Sequence, residues 1–136
     1  MNYKSAAILY IISLVIMMTC DFVWLKFIAH DWYMKLFGQW IQSFILLPAL
    51  FFYLLFVLGL HVFVIHMVPV ETSSLVYGLY GAFFGCIAYA TYDLTNLATI
   101  KDWPVYGACV DIAWGAFVAG LTTYSTILIS RFWNLL

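Results

Sequence analysis

Charge is scarce in this sequence: Asp, Glu, Lys and Arg make up 8% of its residues, against roughly 25% in a soluble domain. Apolar side chains reach 67% and the mean hydropathy is +1.05, which excludes a water-solvated globule and makes lipid the expected solvent. A net charge of −1 offers no basic face to neutralise phosphates, so nucleic acid is excluded as a partner. The three cysteines, Cys20, Cys86 and Cys109, form no C-x-x-C and read as buried thiols, and no histidine stands at zinc spacing. His61 and His66 are five residues apart and project from different faces of a helix, so neither a metal nor a cofactor is expected there. A Ser-His pair, a His-rich metal box and a phosphate-cradling glycine loop are also missing, which removes most familiar enzyme signatures. Strict alternation of apolar and polar residues is absent, and with it the signature of a barrel.

Four long apolar runs are present, over 6–28, 41–67, 75–100 and 104–130, each at or above the roughly 20 residues that cross a bilayer. They predict an all-α architecture, an integral membrane four-helix bundle formed by residues 1–136 as one domain, with both ends on one side. The first run exceeds a secretion-signal core and lacks a small-residue cleavage site, so it is expected to stay attached. Between the first two runs, Trp32, Leu36, Phe37 and Trp40 recur near helical spacing while Asp31, Lys35 and Gln39 take other positions. That pattern fits a short amphipathic helix in the headgroup plane, able to lid a site, or an aromatic belt anchoring a plain loop with His30 in it. Lys4 and Arg131 on one side, against Lys26, Lys35 and Lys101 on the other, leave the orientation open.

Within so apolar a chain the acidic residues inside the runs stand out. Asp21 lies seven residues before Ile28, Asp93 seven before Ile100 and Asp111 seven after Pro104, so each is about 10 Å inside its helix end, on one shared face. Gly81, Gly85, Tyr89 and Asp93 form one stripe, and Asp111, Gly115 and Ala119 another. Small residues at four-residue spacing let the two helices approach and bring Asp93 toward Asp111. Tyr89 and Asn96 are placed to add a hydroxyl and an amide, and Pro48 to leave the Phe44 carbonyl free at the same depth. In oppositely directed helices Trp24 is expected toward the interface and Trp114 toward the membrane centre, walling a pocket or packing. An ionised Asp at mid-bilayer costs at least ~2.5 to 3.5 kcal/mol, and neither Lys26 nor Lys101 is an evident partner. Protonation, hydration or a bound cation must offset that cost, since neighbouring carboxylates raise one another's pKa. Interhelical glue is the plainer reading, but glue is ordinarily built from Ser, Thr, Asn or Gln.

The run Tyr92-Asp93-Leu94-Thr95-Asn96-Leu97-Ala98-Thr99-Ile100-Lys101-Asp102-Trp103-Pro104 carries a resemblance, supported by Asp111-Ile112-Ala113-Trp114-Gly115 and Asp21-Phe22-Val23-Trp24-Leu25. Through these segments the whole chain resembles a family of small bacterial membrane proteins catalogued as a domain of unknown function. The resemblance implies a multi-span protein of the bacterial inner membrane and no particular activity. From the residues, the leading expectation is a carboxylate site of Asp21, Asp93 and Asp111, with Asn96, Tyr89 and Trp114. It would bind or transport a proton, a cation or a small cationic solute, with membrane lipid around it and a homodimer as one possible vessel. Two alternatives stand beside it: an enzyme acting on a lipid or isoprenoid through split Asp acid and base roles, and an accessory subunit received through its Gly and Ala stripes.

Overall fold

Asn2 opens the first helix, its side-chain oxygen accepting the Ser5 amide at 2.8 Å and satisfying a donor orphaned at the helix start. From there the computed structural model, which describes residues 2–135, is helical throughout, with no strand among the described residues. Helix α1 (Tyr3–Val23) runs on through a π-helical turn, Trp24–Ile28, into the short α2 (His30–Phe37) and a 3-10 turn, Gly38–Trp40. Helix α3 (Leu46–Leu60) also ends in a π-helical turn, His61–Ile65. Helix α4 (Ser74–Thr99) is capped by Ser73, and α5 (Val105–Phe132) follows a tight turn in which Asp102 takes a φ of 60°. Four stretches, Tyr3–Ile28, Leu46–Ile65, Ser74–Thr99 and Val105–Phe132, are long and apolar enough to cross a membrane.

The polarity of the bundle runs opposite to that of a water-soluble one. Leu55, Phe63, Phe83 and Leu94 face outward, while Ser13, Asp21, His61, Asp93, Thr122 and Thr126 are buried. Only a lipid surround makes such an exterior stable, so the chain is a membrane protein with several apolar helices. On α1 the buried set is Ser5, Leu9, Ser13, Met17 and Asp21, one residue per turn. Helices α4 and α5 form the principal contact. A Cβ on Gly85 would strike the Gly115 carbonyl and the Ala119 methyl, and one on Gly81 would strike Thr123, so the backbones touch where the small-residue stripes meet. Helix α3 leans on α1, and along its straight part its backbone stands off from α4 and α5, which it meets through the side chains of Phe56, Val57 and Leu60. Aromatic rings bridge the gap, with Phe56 meeting Phe84 at 5.4 Å between centroids.

Three expectations about local structure need correction. The second span begins at Leu46, not Ile41, so Pro48 sits in the first helical turn, where its missing N–H would have had no partner in any case. Phe44 therefore precedes the helix, and Pro48 creates no vacancy at its carbonyl. Of the cysteines, Cys20 and Cys86 are only partly buried and Cys109 is exposed, because an outward position on a lipid-facing helix is as hospitable to a thiol as the interior. The segment after α1 resolves into a helix, and His30 is its first residue rather than part of a loop. The Phe37 ring is buried against Trp103, 5.1 Å between centroids, and over Gly107, while His30, Asp31 and Lys35 stay exposed.

Candidate functional site

The α4–α5 contact brings Asp93 and Asp111 side by side. Asp93 is 0% exposed and neither of its carboxylate oxygens has a hydrogen-bond partner. It faces the Asp111 carboxyl and the Trp103 indole, whose buried N–H is likewise unpartnered. The two carboxyls and the indole N–H thus lie within reach of one another without closing a hydrogen bond of ordinary geometry, a loosely satisfied polar centre of a kind that native interiors seldom keep. Among the described residues no basic side chain neighbours any of the three carboxylates. Lys26 instead lies over the Phe22 ring, 5.3 Å from its centroid.

Asp21 is handled differently. It is 4% exposed, the Trp114 indole N–H donates to its Oδ1 at 2.8 Å, and the Tyr53 hydroxyl adjoins it. The three acids are therefore not equivalent: Asp93 and Asp111 are a pair, and Asp21, tied off by Trp114, shares a cavity lining with Asp111. No group of three metal-ligating side chains exists among the described residues.

Trp24 and Trp114 do not occupy different depths, as their helix positions suggested; their rings stack at 4.4 Å with 7° between planes. Side chains lean toward the N-terminus of their own helix. Because α1 and α5 run in opposite senses, Trp24 leans inward and Trp114 leans outward, and they converge at the level of Asp21.

Asp111 is half-buried and lines two cavities, of about 470 Å³ and about 260 Å³, that share Tyr33, Phe52, Tyr89 and Asp111 as walls. Tyr89 thus stands in the chamber, its ring packed where a Cβ on Gly115 would fall. Asn96 lines neither cavity; it lies beside Tyr92, one turn back along an edge of α4 rotated away from the carboxylate. Sequence reasoning passed over Tyr33, Tyr53 and Trp103. Burial, and then the Asp111 carboxylate, push the Tyr33 phenol above its ordinary range, so it remains a hydroxyl able to donate. The available signal was the aromatic share of 21%, together with tyrosines interrupting otherwise aliphatic stretches.

A second polar cluster lies elsewhere along the bundle, and it contains a Ser-His pair, Ser13 with His61, that the sequence reading counted as missing because the two residues are 48 apart in the chain. Ser13 Oγ donates to the Leu9 carbonyl at 2.9 Å and meets His61 Nε2 at 3.0 Å and Thr126 Oγ1 at 2.9 Å. With the His61 N–H and the Thr126 hydroxyl both donating to Ser13, all three groups are satisfied. His61 and His66 are also neighbours, 5.9 Å between ring centroids, and do not face apart, because the π-helical turn aligns residues five apart. Ser13→Ala is expected to leave two buried polar groups unpartnered and to lower stability by about 1–3 kcal/mol, measured as thermal unfolding in detergent. An unchanged midpoint would show the cluster to be energetically idle.

No curated protein and no solved structure matches the chain. A family model described as "Predicted membrane protein (DUF2177)" matches residues 6–128, a stretch that contains all three carboxylates and the α4–α5 contact. The chain belongs to the DUF2177 family of predicted membrane proteins.

Proposed function

We propose that this is a multi-pass protein of the bacterial inner membrane that binds, and carries across it, a proton or a small cation at the Asp93–Asp111 pair. One observation supports this reading above the others: Asp93 is wholly buried, with neither oxygen in a hydrogen bond of ordinary geometry, next to a second carboxyl and to no basic side chain. Two acids in such surroundings need a proton or a cation for charge balance, and a group used only as glue would have closed its hydrogen bonds. Asp111 supplies the access, since it alone of the pair lines the chamber, while Asp93 holds the second acceptor behind it. Asp21, already bonded to Trp114, serves as a fixed polar wall of the smaller cavity.

The test is flux in proteoliposomes under an imposed pH gradient, from about pH 5 to about pH 9. Asp93→Asn is expected to lower proton or cation flux by about tenfold or more. Wild type and variant behaving alike across that range would reject the reading.

A further inference from the structure

Resting on the proposed function and narrowing its ligand, the geometry points to a monovalent organic cation with apolar substituents, held in the aromatic chamber against Asp111. The larger cavity, about 470 Å³, is walled by Tyr33, Phe52, Phe56, Ala88, Tyr89 and Tyr92, with Asp111 as its one carboxylate. That volume falls within the range of small-molecule sites, which runs from roughly 300 to 1,000 Å³.

The chemistry of the wall discriminates between cations. A metal ion of the Ca²⁺ type asks for about six to eight oxygen ligands, and Mg²⁺ for a near-ideal octahedron. This chamber offers one carboxylate and three phenol hydroxyls among carbon, and no metal-holding cluster exists among the described residues. Aromatic faces around a single carboxylate are instead what an alkylated ammonium requires. The rings attract its spread charge and bury its methyl groups, and the carboxylate balances it without demanding a tight oxygen shell. Charge complementarity thus favours a cation over a neutral lipid tail, which would leave Asp111 without a partner.

The fold also provides a route. Because α3 starts late and its backbone stands off from that of α4, the chamber reaches toward the outer surface beside these helices, where Phe52 is 41% and Tyr92 54% exposed. A cation lipophilic enough to partition into the bilayer would enter sideways, past Phe52 and Tyr92, without crossing the polar ends of the bundle.

The experiment uses the full chain in phosphatidylcholine nanodiscs and labelled benzyltrimethylammonium in equilibrium dialysis, with empty discs subtracted. Neopentylbenzene, the neutral carbon isostere, is the competitor. Saturable binding is expected, weakened about tenfold or more by Asp111→Asn and about threefold by Phe52→Leu, and little affected by the isostere. If Asp111→Asn fails to fold, Asp111→Glu, which keeps the charge, should bind while Phe52→Leu binds less. Absence of saturable binding, equal binding by Asp111→Asn, or displacement by the neutral isostere at similar concentration would overturn the inference. Proton flux that still depends on Asp93 alongside such a result would remove the organic-cation ligand and leave the carboxylate-pair reading intact.

Discussion

Gly85→Leu is expected to abolish the folded bundle. The α4 and α5 backbones touch at this residue, and even a methyl group would strike the Gly115 carbonyl and the Ala119 side chain. Nothing there is the flexible end of a long side chain, so relief requires the two helices to move apart. Overpacking of a tight contact costs on the order of 3 kcal/mol. Here the same movement would also undo the Gly81–Thr123 and Gly115–Tyr89 contacts along the stripe and separate Asp93 from Asp111. In a bilayer the loss is not recovered by hydrophobic collapse, since lipid tails solvate the exposed helix as well as its partner did. The measurement is the monodisperse fraction in mild detergent together with thermal unfolding. A variant that purifies normally and melts like wild type would show that the α4–α5 contact is not the organising one. Gly59→Ala makes a useful comparison, because the added methyl would meet only the edge of the Phe84 ring, which can swing aside.

Asp93→Asn is expected to do the opposite for stability while removing function. An asparagine at this place has an amide N–H₂ that donates to Asp111 and a carbonyl that accepts from the Trp103 indole, so three unpartnered atoms find partners in one substitution. Closing these bonds in a buried centre should raise stability by about 1–3 kcal/mol, read as a higher midpoint of thermal unfolding. The gain in stability separates the two readings of the carboxylates. If Asp93 were structural glue, replacing its carboxyl would lower the midpoint. If Asp93 is held under-satisfied for a proton or cation, neutralising it should stabilise the protein and eliminate flux together, the usual exchange where a site is kept strained for its task. A lowered midpoint with unchanged flux would sink the proposed function.

Much of this architecture was legible because a bilayer imposes strong rules on sequence. Each helix must face lipid, so its length and apolar character show directly, and the four helices long and apolar enough to span fall close to the four apolar runs. Gly81, Gly85, Gly115 and Ala119 were legible for a related reason: close backbone approach needs small residues one turn apart, and few other causes produce that spacing. Once those stripes are matched, Asp93 must come near Asp111. The late start of α3 was less visible. Ile41, Phe44 and Ile45 surround Gln42 and Ser43, and hydropathy averaged over the length of a span does not register that these residues stay outside the helix.

What the chain alone determined is the set of spans, the stripe on which α4 and α5 meet, and the presence of acids too deep in apolar sequence to be solvated by accident. What only the tertiary structure decided is how those acids are treated: Asp21 satisfied by the Trp114 indole, Asp93 left without a donor, and Asp111 turned into a chamber walled by Tyr33 and Phe52. The reason is that hydrogen bonds across helices depend on the tilt, sense and local winding of both partners, including the π-helical turn that begins at Trp24. Periodicity within one helix carries the burial pattern of that helix, but not the angle from which its neighbour arrives.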